Sequence, residues 1–237
     1  LERIEKKLND LGIDKSKYIL KHGTFGKINE YAKDENLENV CGVLLDLGIS
    51  SDQLEEAERG FSFMREGPLD MRMDQSEKLD AKQIVNTYSE SALRQMFEVW
   101  GEERQAKKIA KLIAMERERK PFETTVQLAE FIKKYSGKFY SPIHPATKIF
   151  QALRMTVNRE PEQLAHGLFY GWQVLSQGGV LAVIGFHSGE DRLVKNFMVD
   201  HEDEGEILTK DSITPNTDEL AVNNRARSAR LRAIKKI

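Results

Sequence analysis

An aspartate at the end of an apolar run is the first candidate for chemistry in this chain. Val43, Leu44 and Leu45 form a continuous apolar run, which predicts a strand covered on both faces, and Asp46 follows it directly. Open α/β sheets bind ligands at the carboxyl ends of their strands. Because an ionised aspartate offers only hydrogen-bond acceptors, Asp46 is suited to a hydroxyl or an amine of a ligand. A helix cap or a turn is its alternative role.

Polar residues with hydrogen-bonding side chains follow Asp46 within one short loop. Ser50 and Ser51 can bind a substrate amine, and we expect at least one of them to cap the next helix. Gln53 carries both donors and acceptors, although a surface glutamine is the alternative. The segment after the strand therefore combines several groups that can hold a small polar ligand.

Aromatic and basic side chains are mixed in the next segment, GFSFMREGPLDMRMD at residues 60–74. Phe61 and Phe63 are suited to stacking on an unpaired base, while Arg65 and Arg72 are suited to its phosphates. Core packing is the alternative role of both phenylalanines. The mixture favours a nucleic-acid substrate.

A second apolar run, VLAVIGF at residues 180–186, also ends in polar residues, His187 and Ser188. If both runs are parallel strands, their carboxyl ends face one crevice. His187 is then either close to a target base or a histidine that only fixes the strand end.

The elements before and around Asp46 predict an α/β fold. A helix at about Leu1–Leu11 is followed by a short strand candidate at Tyr18–Leu20. A helix at about Tyr31–Glu35 then leads into the strand at Val40–Leu45. This alternation implies parallel βα units.

Helices alone are predicted from Asp80 to about Tyr135, which indicates an inserted subdomain. Two long helices follow, each with a proline near its start, and then the strand at residues 180–186. Glu206–Ile213 is a late strand candidate, with antiparallel pairing as one option.

The composition is that of a globular protein, with 237 residues, 40% hydrophobic content and a formal net charge of -2. This charge gives no global attraction to nucleic acid, but two local patches are basic. Arg104–Lys120 is either a contact for RNA or the solvated face of a helix. Asn223–Ile237 is either a second contact or a frayed tail.

The single cysteine, Cys41, excludes a disulfide framework and a cysteine-based zinc site, and we expect a buried, inert thiol. No metal site is predicted. No apolar run reaches the roughly 20 residues that span a bilayer. These features indicate a protein of a reducing, cytoplasmic setting with no membrane partner.

Several longer motifs carry a resemblance to one known family. They are DLGISS, the GFSF and GPLDMRMD strings, HPATKIFQALRMTVN, GGVLAVIGFHSGEDRLVK and the terminal RARSARLRAIKK, in this order. With them the chain resembles the ribosomal small subunit methyltransferase H family, which methylates the N4 amine of a cytidine in 16S rRNA. The resemblance implies a Rossmann-like core that uses S-adenosyl-L-methionine and an inserted all-helical subdomain that helps to bind RNA. The implied partner is 16S rRNA in the small ribosomal subunit, and a homodimer is left open.

The resemblance also implies roles for single residues. Carried over residue by residue, the cofactor contacts fall on Phe25, Asp46 and Gln53. The chain has Thr24 where the family is expected to have asparagine, so the loop before Phe25 can differ. Asp46 and Ser50 are expected at the methyl-transfer edge as catalytic residues. The expected substrate contacts are Phe61, Phe63, Arg65, Arg72 and His187.

The implied domains are residues 1–79 as the first part of the core, 80–140 as the helical RNA-binding subdomain and 141–237 as the second part of the core. The family also implies a strand, a glycine-rich loop and a second strand ahead of the first helix, and this sequence opens at about that helix. We therefore expect an N-terminally incomplete sequence that binds the cofactor weakly or not at all. Two other interpretations stay open: an amine methyltransferase acting on DNA or protein, and a non-catalytic RNA-binding module of ribosome assembly.

Overall fold

The computed structural model describes residues 1–136 and 143–237. It contains two compact units, one made of residues 1–47 and 161–237 and the other of residues 48–160. Among the described residues, no helix is both long and apolar enough to cross a membrane.

A four-stranded mixed sheet forms the centre of the first unit. Its strands are β1 Val40–Asp46, β2 Leu175–Gly185, β3 Gly205–Ile207 and β4 Arg230–Lys236, in the spatial order β1-β2-β4-β3. β1 and β2 are parallel, and β4 runs antiparallel to both of its neighbours, β2 and β3. The α/β class is confirmed, and the sheet is that of a Rossmann-like core.

Helices make up most of the remaining chain. In order they are α1 Glu2–Asp10, α2 Ile28–Asp34, α3 Ser51–Glu55, α4 Ala81–Thr87, α5 Glu90–Val99, α6 Ala106–Arg119, α7 Thr125–Tyr135, α8 Thr147–Val157, α9 Glu160–Val174, α10 Ser188–Asp200 and α11 Thr217–Val222. The two long helices expected after the helical block are α8 and α9, and the helix expected after the second strand is α10.

The core of the first unit lies on one face of the sheet. Val43 and Leu45 of β1 pair in register with Leu181 and Val183 of β2, and all four side chains are buried with residues of α9 and α10. Leu44, between them, is 65% exposed. Side chains alternate across a strand, so the prediction that β1 is covered on both faces is wrong. The prediction of a buried thiol is wrong too, because Cys41 of the same strand is exposed.

The basic C-terminal segment is a strand inside the sheet, so the prediction of a frayed tail is wrong. β4 lies between β2 and β3, and Ile234 at its centre is fully buried. Arg232 forms a bidentate ion pair with Asp191 of α10, at 2.7 and 3.1 Å. Lys236 donates to the carbonyl oxygens of Trp172 and Leu175. Arg230 is a further partner of Asp191, at 3.5 Å, so several basic side chains of the segment have partners within the protein.

Two further strand predictions are corrected. Residues 18–20 form no strand, and the late strand is β3, which is shorter than the predicted segment Glu206–Ile213 and begins one residue earlier. Its antiparallel pairing with β4 is confirmed. Ile213 adds one isolated bridge to Leu231.

The second unit is built from helices and the loop at residues 60–74. Asp80, Ser89 and Thr124 accept hydrogen bonds from backbone N–H groups in the first turns of α4, α5 and α7. The helices predicted between Asp80 and Tyr135 are therefore confirmed. The unit, at residues 48–160, is wider than the implied subdomain, whose boundaries stay a prediction and whose last residues lie outside the described part.

A buried methionine in the left-handed conformation marks the loop at residues 60–74. Met71 has a φ of 63° and is fully buried, a conformation that costs energy for a bulky side chain. Asn158 holds it from α8, donating to the carbonyl oxygen of Met71 and accepting from the N–H of Met73. Arg59 donates to the carbonyl oxygens of Arg72 and Met73. The surrounding hydrogen bonds therefore impose the strained turn.

Replacing Asp191 by asparagine tests the ion pair that fixes β4. The guanidinium of Arg232 hydrogen-bonds Asp191 and holds the pKa of this carboxyl group below its usual value. The pair therefore stabilises the fold above the unfolded-state pKa of about 3.9, and this contribution is lost as the pH falls through the lower folded-state value. We expect D191N to lower the free energy of unfolding at pH 7 by on the order of 3 kcal/mol, measured in urea.

The matched control is E130Q, which removes one partner of the exposed pair Glu130–Lys133. Exposed pairs contribute little, so its urea midpoint should equal that of the unchanged protein. Equal midpoints for D191N and E130Q would show that the Asp191–Arg232 pair does not stabilise the sheet.

Candidate functional site

The register of β1 and β2 brings two polar strand ends to the same edge of the sheet. Asp46 lies opposite Ile184, and the N–H of Leu47 donates to the carbonyl oxygen of Ile184 at 2.9 Å. β2 ends at Gly185, two residues before His187. Because the strands are parallel, Asp46 and His187 follow carboxyl ends at one edge, as the sequence predicts.

The carboxyl group of Asp46 is available to a ligand. The side chain reaches solvent, and it has no hydrogen bond or ion pair within the described part of the chain. The protein atoms around it still raise the pKa of Asp46 above its usual value by desolvation. An aspartate with a perturbed pKa and no structural partner, at a strand end, is a candidate functional group.

The ring of Phe25 lies beside the same strand. Phe25 begins a short 3₁₀ turn that Thr24 caps, and its half-buried side chain packs against the core of the first unit. A Cβ atom built on Gly167 of α9 would approach both Phe25 and Leu45, so these two side chains share one surface of the helix. The first unit therefore brings together an aromatic ring and the end of β1.

His187 caps α10. Its Nδ1 accepts from the N–H of Glu190 at 3.3 Å, and its Nε2 lies 3.1 Å from Oε1 of the same residue. Glu190 is buried, and its Oε2 accepts from the N–H of Phe186 at 2.8 Å. Both ring nitrogens thus face the start of their own helix. The geometry favours the strand-fixing role, and contact with a target base stays a prediction.

Ser50 and Gln53 form a capping box at the start of α3. The hydroxyl of Ser50 accepts from the N–H of Gln53 at 3.2 Å, and Oε1 of Gln53 accepts from the N–H of Ser50 at 2.9 Å. The predicted serine cap is confirmed. The hydroxyl hydrogen of Ser50 and the amide NH₂ of Gln53 remain as donors for a ligand.

The two phenylalanines of the GFSF string have different surroundings. Phe61 is 7% exposed and belongs to the core of the second unit, which leaves its ring little surface for stacking. Phe63 is half-buried, and its ring lies 4.7 Å from that of His144 and 4.8 Å from that of Phe150. Phe63 is therefore the better placed of the two for a base.

The two arginines also differ. Arg72 forms a bidentate ion pair with Asp70, at 2.8 and 2.6 Å, and donates to the carbonyl oxygens of Gln75 and Glu77. Arg65 is exposed, with one long hydrogen bond to the carbonyl oxygen of Glu55 at 3.4 Å. Only Arg65 leaves most of its donors for a phosphate.

His144 is a polar residue that the sequence reasoning missed. Its Nδ1 accepts from the N–H of Ala146 at 3.2 Å, and burial, followed by the charge of Lys133, lowers the pKa of its imidazole. The ring is therefore held neutral, with its hydrogen on Nε2. The HPAT string could have suggested a capping histidine, but its contact with Phe63 spans 81 residues of sequence and gives no local signal.

The first unit offers groups that fit part of S-adenosyl-L-methionine. An aromatic ring beside a strand end suits an adenine, and an acceptor without a protein partner suits a cofactor amine or hydroxyl. The described residues contain no group of three or more histidine, cysteine, aspartate or glutamate side chains that could hold a metal ion.

Replacing Asp46 by asparagine should raise the stability of the fold. The pKa of Asp46 is raised in the folded state, so the folded protein binds this proton more tightly than the unfolded chain does. The free energy of unfolding therefore falls as the pH rises above the unfolded-state pKa of about 3.9. D46N removes this penalty, and its melting temperature at pH 7 should exceed that of the unchanged protein. The difference should vanish below pH 3.9. A lower melting temperature for D46N at pH 7 would mean that Asp46 has a stabilising partner.

The whole chain is similar to one family of known proteins. The model of the MraW methylase family matches residues 1–237. A ribosomal RNA small subunit methyltransferase H of Persephonella marina is 43% identical over all of this chain and 81% of its own length. The protein of this name from Thermomicrobium roseum is 44% identical over 91% of this chain and 72% of its own length. That of Legionella pneumophila is 41% identical over all of this chain and 82% of its own length.

Both the family model and these relatives extend across the two units described above. The chain belongs to the MraW methylase family.

Proposed function

We propose that this protein transfers a methyl group from S-adenosyl-L-methionine to the N4 amine of a cytidine in 16S rRNA. The single observation that carries the proposal is the carboxyl group of Asp46, which lies at the end of β1 without a partner among the described residues, in a chain of a methylase family. The relatives are named ribosomal RNA small subunit methyltransferase H, which supports RNA of the small subunit as the substrate. Their name does not favour a DNA or protein substrate, nor a non-catalytic module.

The cofactor side of the site is assigned to Phe25, Asp46 and Gln53. When bound, S-adenosyl-L-methionine supplies a methyl group on a positively charged sulfur. Phe25 presents a ring to the adenine, Asp46 accepts from a cofactor hydroxyl or amine, and Gln53 donates from its free amide NH₂.

The reaction forms a bond between N4 and the methyl carbon, while the sulfur keeps the electron pair of the broken bond and one proton leaves N4. The lone pair of N4 is delocalised into the cytosine ring, so the protein must align it with the methyl carbon. Acceptors near the amine stabilise the positive charge that develops there. We assign this contribution to Asp46 and to the hydroxyl of Ser50.

The RNA side of the site lies in the second unit. A base within a duplex cannot reach the methyl group, so the cytidine must be unpaired or flipped out. We assign stacking to Phe63 and phosphate binding to Arg65. Phe61, Arg72 and His187 stay predicted substrate contacts, although each has structural partners in its own unit.

Basic side chains of α6 extend the proposed RNA surface. Ile109 and Ile113 point into the core of the second unit, while Lys107 and Lys111 are exposed. Arg117 of the same helix is instead used internally, donating to two carbonyl oxygens. We propose this solvated face of α6 as a contact for RNA. We propose the small ribosomal subunit in the cytoplasm as the setting.

Replacing Asp46 tests the proposed reaction. In the protein expressed from its complete gene, D46N should reduce methylation of unmodified small ribosomal subunits at least 100-fold, since it removes an ionised acceptor from the reacting edge. Mass spectrometry of the rRNA nucleosides measures the N4-methylated cytidine. The control is D200N at the end of α10, which should be fully active. Full activity of D46N would refute the role of Asp46.

The two arginines provide a matched pair for the substrate side. R65Q should weaken RNA binding and leave the melting temperature unchanged. The magnitude of the slope of log K against log salt concentration should fall by about one. R72Q removes the guanidinium that pairs with Asp70 and should cost on the order of 2 kcal/mol of unfolding free energy. RNA binding by filter retention and unfolding in urea separate the two roles. Equal loss of stability in both variants would contradict the assignment of Arg65.

A further inference from the structure

One face of α9 holds the Phe25 loop and β1 at close range. Gln163, Gly167 and Gly171 recur every fourth residue and therefore share this face. A Cβ atom built on Gly167 would lie 2.5 Å from Cδ2 and 3.0 Å from Cε2 of Phe25. The edge of the aromatic ring thus rests directly on the helix backbone, which only glycine allows at this position.

One turn earlier in α9, Gln163 fixes the backbone before the ring. The hydroxyl of Thr24 donates to Oε1 of Gln163 and accepts from the N–H of Gly26 at 3.2 Å. A Cβ atom built on Gly26 would lie 2.3 Å from the same Oε1. The Thr24 hydroxyl therefore acts as both a donor and an acceptor, and the backbone is fixed on each side of Phe25.

These contacts leave the ring of Phe25 only half-buried. A phenylalanine that served the core alone would gain by full burial, yet the glycine and the Thr24–Gln163 bond hold this ring at the rim of the core, beside Leu45. The contacts fix the orientation of a ring whose remaining surface stays accessible. Stacking on an adenine needs such a fixed orientation, because the attraction falls when the planes tilt or separate.

We infer that Gly167 and Gln163 are positioning residues for cofactor binding, which act by holding Phe25 against the adenine. The inference rests on the proposed function, in which Phe25 contacts the cofactor. Neither residue is assigned a contact with the cofactor itself. Gln163 acts on the ring through its hydrogen bond with Thr24, so the effect of Gln163 depends on threonine at this position.

A double-mutant cycle on the protein expressed from its complete gene tests the inference. Calorimetric titration with S-adenosylhomocysteine measures the Kd for F25A, G167A and the double variant. G167A should raise the Kd about tenfold, the loss expected when one stacking contact is displaced. Alanine favours a helix more than glycine does, so a weaker α9 would not be the cause. The double variant should bind no more weakly than F25A, because Gly167 acts only through the ring.

The control on the same helix is G171A. A Cβ atom at Gly171 would lie 3.3 Å from Val43 and contacts no part of the Phe25 loop. G171A should therefore leave the Kd unchanged. An unchanged Kd for G167A, or independent losses for G167A and F25A, would overturn the positioning role. An unchanged Kd for F25A would refute the proposed cofactor contact itself.

Two variants of the hydrogen bond give the same test if G167A does not fold. T24V removes the hydroxyl that binds Gln163 and should raise the Kd as Q163A does. T24N keeps a donor and an acceptor at this position and should retain the original Kd. Equal affinities for T24V and T24N would overturn the role of Gln163.

Discussion

The parallel pairing of β1 with β2 is the interaction on which the remaining architecture depends. The register from Val43 with Leu181 to Asp46 with Ile184 buries four apolar side chains on one face and sets both carboxyl ends at one edge. A shift by one residue would turn the buried side chains to the opposite face and move Asp46 with them. α9 precedes β2 directly, so the same pairing also places its glycine face against β1 and Phe25.

Local chemistry made much of the fold predictable from the sequence. Side chains that cap helices lie next to the helices they begin, so the helices between Asp80 and Tyr135 could be predicted, and Asp80, Ser89 and Thr124 cap three of them. β4 was missed because four basic residues among seven resemble a solvated tail. Their partners, Asp191 among them, are distant in sequence and have no local signature.

The candidate site was likewise predictable only where its residues carry a local signal. Asp46 could be recognised as a candidate because a strand end is a local feature, and its carboxyl group has no partner in the described part of the chain. Whether Phe61 or Phe63 is accessible to a base depends on burial in the tertiary structure. Whether Arg65 or Arg72 has donors left for a phosphate depends on the ion pair between Arg72 and Asp70. Gly167 and Gln163 lie more than 130 residues from the Phe25 loop they contact, and no sequence pattern connects them.

The pKa shifts of the carboxyl groups in this protein differ according to whether each group has a charged partner. Burial alone would raise the pKa of Asp70, but the hydrogen bonds and charge of Arg72 lower it, and Arg232 does the same for Asp191. Desolvation raises the pKa of Asp46, which has no opposing partner among the described residues. An ionised carboxyl group in such a place costs stability, and costs of this kind are expected at functional sites.

The interruption between β1 and β2 has a consequence for biosynthesis. Residues 48–160 are translated after β1 and before β2, so the pairing edge of β1 and its core side chains, Val43 and Leu45, stay uncovered while the whole second unit emerges. A disordered segment of that length would add to the entropic cost of closing the strand pair, whereas a segment that has already folded holds fewer conformations to lose. A defect in the core of the second unit should therefore reduce the yield of the sheet it interrupts, even where it touches neither strand. β4 lies between β2 and β3 in the sheet but follows both of them in the sequence, so these strands cannot be joined until β4 has been translated.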